Sequence, residues 1–200
     1  MQAMRNMTLA TVLAVGVLAG SSALAQKVAP AFALADVNGT VHSLAKYAGK
    51  IVVLEWTNYD CPFVKKFYSV GAMQALQEKY TAKDVVWLTV CSSAAGKQGH
   101  FTQAEWLKRM EGSGVKATAV LLDETGETGK AYGAQNTPHM YVIDKVGHLV
   151  YQGAIDDKRS ANPADIEGAR NYVKEAIKAL MDGKTIEVAE TKAYGCSVKY

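Results

Sequence analysis

Apolar residues in this chain fall into short continuous runs separated by longer spaced patterns, and the two kinds alternate. Ile51 to Trp56 (IVVLEW) and Val85 to Val90 (VVWLTV) are unbroken β-branched and aromatic runs, the pattern of strands buried on both faces. Ahead of them, Phe32 to His42 carries Asp36-Val37-Asn38-Gly39-Thr40, an Asn-Gly turn between apolar positions that predicts a hairpin. Ser43 to Gly49 reads as a short helical or turn segment. After IVVLEW the spacing predicts one helix from about Cys61 to Tyr80, with Pro62 in its first turn, where a missing N–H costs nothing. Thr102 is placed to cap the helix that carries Trp106 and Leu107.

Ala119 to Leu122 then predicts a short strand, and Glu124 to Tyr132 a short helix closed by Gly133. Met140 to Ile143 and Leu149 to Gln152 flank a turn at Lys145-Val146-Gly147 and predict an antiparallel hairpin. Asn162 and Pro163 open a last helix that runs to about Met181, and a tail follows from Gly183. Strands joined through helices are expected to be parallel, because a crossover of that length cannot make a hairpin. The late hairpin then adds an antiparallel edge. The chain contains no internal repeat.

The first residues change this picture. Arg5 precedes an apolar stretch from Leu9 to Gly20, and Ala23-Leu24-Ala25 forms a small-x-small cleavage site. Residues 1–25 therefore read as a signal peptide, with Gln26 opening the mature chain, and the Ala-x-Ala site favours cleavage over an uncleaved anchor. Nothing later reaches the roughly 20 apolar residues of a membrane span. A periplasmic or secreted location is expected, with a domain over 26–183 and a tail over 184–200. The 200 residues are 49% hydrophobic and 20% charged, enough apolar material for a core. The net charge of +3 is scattered without a basic run, so nucleic acid is not an expected partner.

Export bears on the three cysteines, Cys61, Cys91 and Cys196, because disulfides persist outside the cytosol and an odd count leaves one thiol over. Cys61 stands where a buried strand meets a helix N-terminus, whose free N–H groups favour thiolate over thiol. Lys65, one turn later, adds a positive charge, and Asp60 opposes both. Glu55 is a carboxylate inside the apolar run, which is costly unless it is paired, hydrated or functional. It either serves chemistry or reaches solvent at a strand end. The histidines His42, His100, His139 and His148 show no spacing that puts two on one helix face. No metal site and no cofactor is expected.

Three stretches carry a likeness to known proteins: VLEWTNYDCPFVKKFY from Val53, LDETGETGKAYGAQNTPHMYVIDKVGHLVYQGAIDD from Leu122, and TKAYGCSVKY from Thr191. With the element order, they resemble the thioredoxin superfamily. More narrowly, the chain is similar to the redoxin group, related to alkyl hydroperoxide reductase and thiol-specific antioxidant proteins, the peroxiredoxin-like proteins. The resemblance implies an α/β thioredoxin-like fold: a central mixed β-sheet flanked by helices, with an N-terminal β-hairpin and a C-terminal tail. It implies a redox-active Cys61, a proton relay at Glu55, and a cis-proline element at Thr137-Pro138 that offers backbone hydrogen bonds to an extended substrate.

The departures are as informative. Val64 stands where a thioredoxin has its second cysteine. Val53 and Asn58 stand where a peroxiredoxin has Pro and Thr, with Thr57 one place early as an imperfect substitute. The peroxide-binding arginine has only Arg109, Arg159 and Arg170 as candidates. The implied activity is a thiol-dependent oxidoreductase in which the Cys61 thiolate reduces a hydroperoxide or a disulfide. Its partner is a thiol reductant protein or a small thiol. The alternatives are a disulfide reductase for exported proteins and a non-enzymatic redox or copper-binding accessory, with His139 and Cys61 as conceivable ligands. A tail after a terminal helix is ordinarily frayed. With the local partner replaced by Val64, however, a second thiol must come from elsewhere: the tail is expected to fold back so that Cys196 resolves Cys61, with Cys91 as the alternative.

Overall fold

The computed structural model describes residues 27–200, so the leader expected over residues 1–25 lies outside the described residues. The chain opens with β1 (Ala33–Ala35) and β2 (Val41–Ser43), paired antiparallel about the Asn38-Gly39 turn as the pattern predicts. A 3-10 turn at Leu44–Tyr47 leads to β3 (Val52–Trp56), then α1 (Pro62–Tyr68), α2 (Ala72–Thr81) and β4 (Val86–Cys91). Next come α3 (Gln103–Ser113), β5 (Ala119–Leu122), α4 (Glu127–Tyr132), β6 (Asn136–Thr137), β7 (His139–Ile143) and β8 (Leu149–Gly153). A 3-10 turn at Pro163–Ile166, α5 (Tyr172–Met181) and β9 (Cys196–Ser197) close the chain.

The central sheet has the order β5-β4-β3-β7-β8. β3, β4 and β5 are parallel, and β7 and β8 run antiparallel, so the sheet is mixed as expected. Every residue of β3 is buried, because both faces of the sheet are covered. Alternate side chains separate the two layers. Val53 packs with Trp87, Met140, Val142 and Ile177 on one face, while Val52, Leu54 and Trp56 pack with Leu88, Leu121 and Tyr141 on the other. Burying each such side chain stabilises by about 1.5–3 kcal/mol. This is a thioredoxin-like α/β fold.

Two helices differ from expectation. The single helix expected from Cys61 to Tyr80 is two, because the chain leaves the helical path at Gly71, which takes φ +76 as the N-cap of α2. That break lets α2 turn Met73 and Gln77 onto the sheet, where both are fully buried. The last helix starts not at Asn162 but at Tyr172. Asn162 caps only the 3-10 turn, which ends where Glu167 becomes extended, and Asn171 caps α5 by accepting from the Lys174 N–H at 2.8 Å. Thr102 caps α3 as expected, and Glu105 makes the cap reciprocal.

The tail is not frayed. Residues 189–191 bond along β8 through Gln152, and the Thr191 hydroxyl accepts from the Ala154 N–H at 2.9 Å. β9 then pairs antiparallel with β6, and Tyr200 OH donates to the Ala134 carbonyl at 2.7 Å. Among the described residues no helix is long and apolar enough to cross a membrane.

Candidate active site

The site forms where β3 ends beside the start of β7. β3 delivers the chain to Cys61, which is the N-cap of α1, with Pro62 in the first turn. Opposite it, the Thr137-Pro138 bond is cis, as the resemblance implied, and it separates β6 from β7. Cys61 Sγ lies 3.1 Å from the Thr137 carbonyl oxygen.

Two strands meet at Thr137. In the β6–β9 register, Thr137 stands opposite Cys196 and Asn136 opposite Ser197. Asn136 Nδ2 donates to the Gly195 carbonyl at 3.0 Å, and the Val198 N–H donates to the Gln135 carbonyl at 3.0 Å. This pairing puts Cys196 Sγ 2.7 Å from Cys61 Sγ, although the two residues are 135 apart in sequence. Two sulfurs that only touch would sit farther apart, and a disulfide bond is about 2.04 Å. Cys61 is buried and Cys196 is half-buried.

The two thiols are driven apart in acidity. Burial pushes Cys61 up, but hydrogen bonds from Cys196, from the Thr137 side chain and from backbone N–H groups of Cys196 and Val64 outweigh it and hold the thiol below its ordinary value. Apart from that weak contact the Thr137 hydroxyl, like the buried hydroxyl of Thr57, has no hydrogen-bond partner among the described residues. Burial, and then the charge it faces on Cys61, push Cys196 up to about 11. Cys61 is therefore the more acidic of the two thiols. Cys91 ends β4, parallel beside β3 as expected, and burial pushes its thiol up to about 11.

The Lys65 side chain is exposed beside Asp60 and Arg109 in a cleft of about 390 Å³. Next to it, Lys66 is buried on α1, with its Nζ bonded to Asp156, the Lys158 carbonyl and Tyr194. Asp60 does not stand unpaired against the thiolate: Arg109 Nη1 donates to its Oδ1 at 2.7 Å while the guanidinium stacks 3.7 Å from the Phe101 ring.

Glu55 does not reach solvent; it is fully buried. Tyr68 OH donates to its Oε1 at 3.0 Å, and Gln77 Nε2 and Trp87 Nε1 donate to its Oε2 at 3.0 and 2.9 Å. Burial exceeds these three bonds and pushes the carboxyl up to about 7. It occupies the same sheet face as Val53, the face that Cys61 packs against, with no direct bond to the sulfur among its partners. His139 follows the cis-proline. Burial lowers its imidazole to about 4, and its Nδ1 accepts from the Gln135 N–H at 3.3 Å.

With this geometry established, the chain can be set beside known proteins. The redoxin family matches residues 24–170, which takes in Cys61 and Thr137-Pro138 and stops short of Cys196. No curated protein matches. An uncharacterized conserved protein from Geobacillus kaustophilus is similar at 30% identity and TM-score 0.76, over 88% of this chain and 91% of that one. A hypothetical protein from Sinorhizobium meliloti is similar at 23% identity and TM-score 0.74, over 88% and 93%. A putative thiol:disulfide interchange protein DsbE from Chlorobium tepidum shares the fold at 23% identity and TM-score 0.56, over 79% and 95%. The chain belongs to the redoxin family.

Proposed function

We propose that this protein is a thiol–disulfide oxidoreductase whose working pair is Cys61 and Cys196. The observation that carries this reading is the 2.7 Å approach of the two sulfurs beside the cis Thr137-Pro138 bond. The tail supplies the second thiol that a Cys-x-x-Cys motif would hold at Val64.

The Cys61 thiolate attacks one sulfur of a substrate disulfide, forming a mixed disulfide and releasing the other sulfur as a thiolate. Cys196 loses its proton and attacks Cys61 Sγ, expelling the second substrate thiolate and leaving a Cys61–Cys196 disulfide. Two electrons pass to the substrate, and an external thiol reductant returns them. Glu55, pushed up to about 7 on the same face of the sheet, is the buried group able to exchange a proton near neutrality. The leader read from residues 1–25 supports an activity outside the inner membrane, on disulfides of exported proteins.

The peroxidase reading is weaker. It needs a cationic partner for the peroxide, and Arg109, the candidate close to Asp60, is already committed to that carboxylate. The copper-accessory reading would use the same two sulfurs, but Nδ1 of its histidine, His139, is occupied by Gln135.

The test is to mix the reduced protein with a disulfide-linked peptide and, separately, with hydrogen peroxide, using wild type, Cys61→Ser and Cys196→Ser. The reading expects peptide reduction by wild type, none by Cys61→Ser, and a trapped Cys61–peptide mixed disulfide with Cys196→Ser. Rapid stoichiometric sulfenate at Cys61 with no peptide reduction would select the peroxidase instead.

A further inference from the structure

We propose that the buried cluster Lys66–Asp156–Tyr194 is a positioning device that presents Cys196 to Cys61 and so sets the reduction potential of the pair. The inference rests on the dithiol reading above.

The Lys66 side chain is wholly inaccessible, on the helix whose N-cap is Cys61. Its Nζ has three N–H groups and three acceptors: Asp156 Oδ2 at 3.1 Å, the Lys158 carbonyl at 2.8 Å and Tyr194 OH at 3.3 Å. Tyr194 OH in turn donates to Asp156 Oδ1, which also accepts from the Lys158 N–H at 3.0 Å. The Tyr194 ring packs edge-on against Phe63 of the same helix, with centroids 5.9 Å apart. No polar group of the cluster is left over.

Such a pair is a poor way to add stability, since apolar residues of similar volume often serve as well. Its connectivity suggests another use. It ties together three segments distant in sequence: the Cys61 helix, the loop after β8 at Asp156–Lys158, and the tail two residues before Cys196. β9 pairs through only two residues, and Gly195 next to it offers no side chain to hold the strand. Tyr194 is the tail's buried anchor on this side, and fixing it raises the effective concentration of one thiol at the other.

That concentration is measurable, because the equilibrium is protein dithiol plus oxidised glutathione giving protein disulfide plus two reduced glutathiones. The full chain is equilibrated in glutathione mixtures, quenched with acid, and the fraction carrying a Cys61–Cys196 bridge is read by peptide mapping. Tyr194→Phe keeps the ring against Phe63 and removes only the hydroxyl, so it tests positioning without opening the core. We expect it to lower the equilibrium constant tenfold or more, a rise in potential of about 30 mV per tenfold, and Lys66→Met to do the same or more. Asp36→Asn, at the N-terminal hairpin, should leave the constant unchanged. A Tyr194→Phe constant within twofold of wild type would overturn the inference, whether or not Lys66→Met folds. So would an equal shift from Asp36→Asn. A wild-type chain that forms no Cys61–Cys196 bridge would overturn the dithiol reading and this inference with it, a result distinct from a bridge of unchanged potential.

Discussion

Thr137 and Cys196 face each other across the antiparallel pair of β6 and β9, and that register carries the Cys196 sulfur onto the sulfur of Cys61. The residue before the cis-proline thus holds Cys61 through its carbonyl on one side and the tail strand on the other. The strand edge that the resemblance assigns to an extended substrate is paired here with the chain's own tail.

The close approach depends on Gly195. It takes φ +132, and a Cβ built there would lie 2.0 Å from the Thr137 carbonyl oxygen, a backbone atom that cannot give way. Gly195→Ala should therefore break the β6–β9 pair, at a cost of more than about 1 kcal/mol. Amide exchange at Val198 should accelerate, and Cys196 should alkylate faster than in wild type. Unchanged exchange at Val198 would mean that the tail is held without this pairing.

Glu55 predicts a pH dependence of stability. Its folded value of about 7 is above its ordinary 4.5, so the neutral carboxyl is favoured in the fold. The contribution is fully present below pH 4.5 and is lost as pH rises through 7, by on the order of 3 kcal/mol. Glu55→Gln should flatten that slope, since the amide can take the carboxylate's place while Tyr68 OH reverses its bond. Urea unfolding at pH 5 and pH 8 measures the difference. An equal slope in both proteins would assign the dependence to another group.

Cys91 should take no part in exchange. It is buried, its thiol is pushed up to about 11, and its neighbours are Ser93 Oγ at 3.4 Å and the Gly99 carbonyl at 3.6 Å. Alkylation of the native protein at limiting reagent should leave Cys91 unlabelled while Cys61 and Cys196 react, and denaturant should expose all three. Labelling of Cys91 first would move the reactive centre away from α1.

Gly71 separates α1 from α2 at φ +76, with open space around it. Gly71→Ala should cost about 1–2 kcal/mol for the left-handed backbone alone and leave thiol reactivity unchanged. A loss of stability accompanied by faster Cys61 alkylation would show that the break also positions the site.

The sheet was legible in the sequence because its strands state their burial locally: IVVLEW and VVWLTV read as two-faced strands without any knowledge of what covers them. Cys61 and Glu55 stood out locally too, one as a thiol at a helix N-terminus and the other as a carboxylate inside an apolar run. The two helix breaks were only half legible. Gly71 was visible, but an isolated glycine does not by itself announce a turn, and Asn162 and Asn171 are equally good caps. Lys65 and Lys66 could not be told apart, because what buries Lys66 is Asp156, 90 residues away, and no local period records such a partner. The same holds for the tail: its sequence carries a cysteine and a glycine, while its order comes from β8, β6 and Ala134.

Whether Cys61 and Cys196 form one redox couple is read by non-reducing peptide mapping of the acid-quenched chain after one equivalent of oxidised glutathione. A Cys61–Cys196 linked peptide should be the main oxidised species, with Cys91 recovered as a free thiol. A Cys61–Cys91 bridge, or only intermolecular adducts of Cys61, would contradict it.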